Sequence, residues 1–474
     1  MRANPRLSSW FLILGLSASS SLLLKNIILG GAYSLAFLPL AVFVILARRW
    51  GREVNIPVFI AVCAIYSFYF IRPVFLGFYP DLFGYQHVDI PATATYALTM
   101  LYVGGFSVAF LVGLYSALVF GRRPNKSRFV LSHSGVIVRL RYLFLFSLLV
   151  LVCLWAGLVL IFGVGVKKEF SNLEILKFIL PISLIIPSAL GYLSIGEYRT
   201  ISLVEKFLII IVVGAMFFLI LIGGSKLGSF LLLLYGLIVI LLIRGDFRIG
   251  PLHAAILIIG AGVLVFVSVI AANVIKYHGL DGFFNPSEWL YEFSEYAVFT
   301  VDRITFRLTG YDGLLVTLIE QPEVMKSIIR WDSITINTVQ KLIPGFSGSE
   351  MSLGKAVAVY YGGKAPDIQY SGALGFFGML YLMHGLIGGV LMASVLGAFY
   401  GGCFRAVMNM SVGSTEKVIA ISVLCYQMAH WLSSGNFDSM FQEFVITALH
   451  LFFYYVCLRL MLGIVSQKNH IRSF

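Results

Sequence analysis

At 474 residues, with 59% hydrophobic and 12% charged side chains and a mean hydropathy of +0.93, the chain is excluded from the ordinary soluble domains, where charged residues make up about a quarter. Its formal net charge of +12 lies mostly in short segments between apolar runs, where positive charge sets membrane topology, so it does not point to nucleic acid. The five cysteines (Cys63, Cys153, Cys403, Cys425, Cys457) fall in or beside apolar runs without CxxC spacing, and HExxH, Walker-type and GxGxxG patterns are absent, so no disulfide frame, metal or cofactor is expected.

A membrane helix needs about 20 apolar residues. Twelve runs meet that need, at 8–24, 27–47, 54–71, 94–120, 142–166, 179–196, 207–224, 227–243, 253–275, 373–402, 418–436 and 443–464. The first is followed at once by the second, which predicts a retained helix and not a cleaved signal. The run at 179–196 carries Pro181 and Pro187. With the N-terminus inside and the helices alternating, the inside segments hold 20 Lys and Arg, the short outside loops 6 and the long segment between Lys276 and Gly372 the other 8. That imbalance puts both termini in the cytoplasm and the long segment on the opposite side, which in a bacterium is the periplasm. The expected fold is therefore an all-α polytopic membrane protein of about twelve transmembrane helices with one large periplasmic loop. Its divisions are residues 1–275, the loop or cap 276–372, and residues 373–474.

Smaller features follow in chain order. Residues 72–93 read as a Pro- and aromatic-rich outer segment, and 129–141 as a basic interfacial one. Lys226 stands in a glycine hairpin, Gly223-Gly224-Ser225-Lys226-Leu227-Gly228, where backbone N–H groups can face an anion; the alternative is a lysine snorkelling from a helix end. Within the cap, Pro286-Ser287-Glu288 reads as a helix start with Ser287 as N-cap. Trp289, Phe293, Tyr296, Phe299 and Phe306 then suit an amphipathic helix lying on the membrane or on the bundle. Gly385 with Gly389, and Gly397 with Gly401, have the spacing that brings two helices to backbone distance.

Several residues suit chemistry on a polar ligand. Arg303 and Arg307 share a helical face that Tyr311 continues, and paired guanidinium forks suit a diphosphate, with Lys226 as a further cation. The alternative for the arginines is a surface pairing with nearby acids. Lys364, Asp367 and Tyr370, in the glycine-rich approach to run 373–402, suit a sugar. His278, Asp312, Asp367 and Glu443 are the candidates for a general base. His384 and His430 lie inside apolar runs, where a functional role competes with neutral core packing.

These features resemble the bacterial O-antigen, or oligosaccharide repeat-unit, polymerases of the Wzy type. The resemblance rests on the helix layout with one late periplasmic loop and on Gly224-Ser225-Lys226. It rests also on Arg303…Arg307-Leu308…Asp312-Gly313 and on Tyr370-Ser371-Gly372-Ala373-Leu374-Gly375 running on to Tyr381. It implies an inner-membrane glycosyltransferase with a GT-C-like helical bundle. That enzyme moves a glycan from one undecaprenyl-diphosphate carrier to the sugar of another, without nucleotide sugar, and works with a protein that controls chain length. The competing readings are a lipid-linked glycan ligase, a membrane O-acyltransferase using a buried histidine such as His430, and a polysaccharide flippase or transporter. The topology has its own test. A cysteine in place of Gly348 is expected to react with an impermeant reagent supplied outside the inner membrane, and protection of that cysteine in folded protein contradicts the orientation.

Overall fold

A computed structural model describes residues 5–79, 91–120, 140–162, 182–192, 202–222, 310–320, 330–342, 353–361, 374–410, 414–435 and 437–471, together with parts of 263–294 and residue 325. Every regular element among them is helical. In chain order the named helices are α1 (Pro5–Lys25), α2 (Ile27–Arg49), α3 (Arg52–Ile65), a π turn (Tyr66–Phe70), α4 (Ile71–Phe78), α5 (Thr93–Val119), α6 (Arg141–Phe162) and α7 (Ile182–Tyr192). They continue with α8 (Leu203–Ile222), α9 (Gly310–Ile319), α10 (Trp331–Leu342), α11 (Leu353–Tyr360), α12 (Gly375–Asn409), α13 (Ser414–Ser434) and α14 (Phe437–Ile471).

Ten of the twelve apolar runs coincide with these helices; run 227–243 and most of 253–275 lie outside the described residues. Five stretches are long and apolar enough to cross a bilayer: Ile27–Ala47, Val54–Phe78, Thr93–Val119, Gly375–Asn409 and Met440–Met461. The chain is thus an α-helical membrane protein. The basic segment 129–139 and the Lys226 hairpin are outside the described residues.

The chain divides into two compact units, the first Met1–Ser127, Val301–Ala406 and Gln427–Glu443, the second Arg128–Thr300, Val407–Tyr426 and Phe444–Phe474. Of the segment 276–372, residues 276–300 belong to the second unit and 301–372 to the first.

In the first unit α1 and α2 form a tight hairpin. Asn26 caps α2, its side-chain oxygen accepting from Leu29 N at 3.0 Å. Parallel packing of α5 and α12 is set by glycine. A Cβ on Gly397 would lie 2.0 Å from Phe110 O, one on Gly401 2.5 Å from Leu114 O, and one on Gly113 1.9 Å from Ser394 O. The contacts advance together along both helices, so the helices run in the same direction. Gly389 meets the Phe106 ring, but Gly385 does not pack as its spacing suggests. It has open space around it and a φ of +67°, and it breaks α12. As one straight rod, 35 residues would measure about 52 Å. The break leaves residues 386–409 to cross about 30 Å of hydrocarbon and frees 375–384 to take another direction.

The second unit is a core of α6, α7 and α8 with parts of α13 and α14. Phe144 stacks on Tyr192 at 5.9 Å and tilts against Tyr454 at 6.0 Å, within a cluster including Leu148, Ile185, Val212 and Val423. Helix α7 starts just after Pro181 and retains Pro187. Helix α8 begins four residues before the expected run because Ser202 and Glu205 form a reciprocal capping box. Glu205 N donates to Ser202 Oγ (3.2 Å) and Ser202 N to Glu205 Oε2 (2.7 Å). Tyr192 donates to the remaining carboxylate oxygen at 2.9 Å.

Because α5 and α12 touch through backbone, Gly397→Leu is expected to lower the thermal midpoint of the detergent-solubilised protein, by overpacking worth about 1–3 kcal/mol or more. Gly402→Leu, at a glycine with nothing within 4 Å, is expected to leave it nearly unchanged.

Candidate functional site

The first unit gathers helix ends around one phenol. Tyr69, in the π turn, donates to Leu432 O at 2.9 Å and accepts from Phe377 N at 3.1 Å. It thereby satisfies a carbonyl from the last turn of α13 and an N–H from the first turn of α12, groups that have no partner inside their own helices. Glycines make room for this. A Cβ on Gly313 would fall 1.9 Å from Leu374 O, one on Gly378 2.9 Å from Gly313 C, and one on Gly435 2.3 Å from Gly375 O. Gly375 and Gly435 take φ of +69° and +67°, a region open to glycine at little cost.

Beside this junction lies a buried ion pair. Arg72 Nε stands 3.0 Å from Asp312 Oδ2 and 3.3 Å from Oδ1, and both side chains are 0% exposed. Arg72 was expected outside the membrane, just beyond run 54–71. The helix instead continues to Phe78 and carries the arginine inward, where Asp312 in the first turn of α9 compensates it. The acid at a helix N-terminus is also favoured by the helix dipole. Asp312, a candidate base, is therefore committed to the arginine and shut off from solvent. Tyr311, a candidate glycan contact, is likewise fully buried and donates to Tyr96 O at 2.7 Å. At the far end of α9, Tyr361 donates to Glu320 O at 3.1 Å, and burial, then the Glu320 charge, raises its phenol well above the usual range.

A second polar group lies where α13 turns into α14. His430 Nε2 is 3.3 Å from Glu443 Oε2, the carboxylate partly exposed and the imidazole mostly covered. Aromatic rings wall this place. Trp431 meets Phe441 at 4.9 Å and Tyr400 at 5.3 Å, both edge-on. Trp331, the first residue of α10, donates through Nε1 to His384 Nε2 at 2.9 Å and packs on Phe437 at 5.6 Å. His384 sits just before the break at Gly385, so α10 grips the N-terminal part of α12 at its bend.

Of the other expected site residues, His278 belongs to the second unit, its Nδ1 3.0 Å from Glu288 and its Nε2 3.3 Å from Glu292. Arg303, Arg307, Lys226, Lys364, Asp367 and Tyr370 lie outside the described residues. Among the described residues no group of three or more His, Cys, Asp or Glu is arranged to hold a metal ion. Sequence reading missed Arg72 and the pairing of His430 with Glu443. Only the arginine left a signal, being a charge at the edge of an apolar run. No family model, curated protein or solved structure matches the chain.

Removing one partner of a buried ion pair leaves the other uncompensated, at about 3–5 kcal/mol. Arg72→Met and Asp312→Leu are each expected to lower thermal stability in detergent strongly, and the double variant to recover a large part of the loss. Two unaffected single variants would contradict the assignment.

Proposed function

We propose that this chain polymerises lipid-linked glycan repeat units at the periplasmic face of the bacterial inner membrane, with both termini cytoplasmic, about twelve spans and residues 276–372 on the periplasmic side. The reading rests on the sequence resemblance, and the observation that carries it to a mechanism is the Glu443–His430 pair. Of the four candidate bases, Asp312 is held by Arg72 in full burial, both ring nitrogens of His278 face carboxylates, and Asp367 lies outside the described residues. Glu443 is partly exposed, and its histidine orients one oxygen.

In the reaction a hydroxyl oxygen of the acceptor glycan attacks C1 of the donor sugar. The bond from C1 to the diphosphate oxygen breaks, and undecaprenyl diphosphate leaves with the electron pair. The hydroxyl proton passes to Glu443, with His430 as its positioning residue. Arg303, Arg307 and Lys226 neutralise the departing diphosphate. A chain-length partner belongs to the same proposal.

One observation also favours the acyltransferase reading, since His430 is a mostly covered histidine paired with an acid. The two readings part at the arginines, which only the polymerase requires. Loss of the chain is expected to collapse a ladder of surface polysaccharide to a single repeat unit. Glu443→Gln is expected to reproduce that collapse through a rate loss of about 10²–10⁴, and Arg303→Ala and Arg307→Ala to do so with protein still in the membrane. Normal long chains in both arginine variants refute the diphosphate clamp. An unchanged ladder with altered acylation in the strain lacking the chain refutes the polymerase.

A further inference from the structure

Residues 278–294 have the polarity of a water-soluble helix turned inside out. The described helix 286–294 starts at Asn285, not Ser287: Asn285 Oδ1 accepts from Ser287 N at 3.2 Å and from Ser287 Oγ at 2.8 Å, with Pro286 as first helical residue. Its inward side is charged. Glu288 and Glu292, one turn apart, both close on His278, and Glu292 is 1% exposed. Its outward side is apolar, with Phe284 75%, Leu290 70%, Tyr291 55% and Phe293 50% exposed.

The polar groups of the segment are largely satisfied within it. Trp289 Nε1 donates to Phe283 O at 2.8 Å, and Ser294 Oγ to Tyr291 O at 2.9 Å. In water such an arrangement hides charge and shows oil, the reverse of what solvation favours. The exposed polar residues are Asp281, Asn285 and Ser287 at the start of the segment and Ser294 at its end. Polar start and apolar flank match the headgroup and acyl layers of a bilayer interface.

We infer that residues 278–294 form an interfacial anchor seated in the lipid surface, with Phe284, Leu290, Tyr291 and Phe293 among the upper acyl chains and Asp281 and Asn285 at headgroup level. The bilayer is the occupant because residues 278–294 closely follow the apolar run 253–275 in sequence, so the nearest apolar phase is the membrane that holds that run. A soluble partner protein would have to compete with lipid already present. The inference is independent of the proposed reaction.

The test places an environment-sensitive fluorescent amino acid at residue 290, and separately at 281, in the full chain reconstituted in phosphatidylethanolamine and phosphatidylglycerol nanodiscs. Bromine on the acyl chains is expected to quench the probe at 290 several-fold more than aqueous iodide does, with the order reversed at 281. Iodide quenching at 290 as strong as at 281 would put the face in water and overturn the anchor. Protection from both quenchers would show protein covering the face and overturn it equally. A probe at 293 repeats the measurement should substitution at 290 disturb folding.

Discussion

The buried pair of Arg72 and Asp312 is the constraint on which the first unit depends. Two full charges held at 0% exposure carry a large desolvation cost, and each offsets part of the other's. The pair therefore demands that α4 and α9 stay in contact, and the chain meets the demand with small residues. Gly310 lies against the Tyr69 ring and Gly313 against Leu374 O, so α9 is brought to backbone distance of the turn before α12. Tyr69 then closes the ends of α12 and α13 with one hydroxyl. A pair of this kind is weak evidence for net stability, but it specifies one arrangement of helices over others.

That arrangement fixes the carboxylate and histidine of the proposed chemistry. Gly435, against Gly375 O, holds the turn between α13 and α14, and Glu443 is the seventh residue of α14, whose first turns carry the stacked rings of Phe437 and Phe441. Trp331 ties helix α10 to the same wall and to His384. Ring contacts form one continuous path from Tyr69 through Phe377, Phe376 and Phe437 to Trp431, the neighbour of His430 in sequence. A base whose position rests on packed helix ends is held more firmly than one on a free loop.

Much of this architecture was legible in the sequence because membrane helices announce themselves by apolar length. The runs at 27–47, 94–120 and 373–402 became α2, α5 and α12, and the glycines at 397 and 401 did mark a helix contact. Gly385 shows the limit of such spacing: the same pattern serves close packing or a backbone break, and only φ tells them apart. Arg72 was misplaced because hydropathy ends a helix at the first charge, while Asp312, 240 residues away, pays its desolvation. The pairing of His430 with Glu443 was invisible for a related reason, since it depends on the angle of a turn at Gly435. Ser287 looked like the cap because it precedes an acid, yet Asn285 before a proline is the residue whose side chain reaches the open N–H.

The most direct measurement is transfer by the purified chain in liposomes supplied with a lipid-linked repeat unit and no nucleotide. The account predicts oligomers of the repeat, with one undecaprenyl diphosphate released for every glycosidic bond formed. Repeat units left intact on their carriers by folded protein, or carrier released without any lengthening of the glycan, would contradict it.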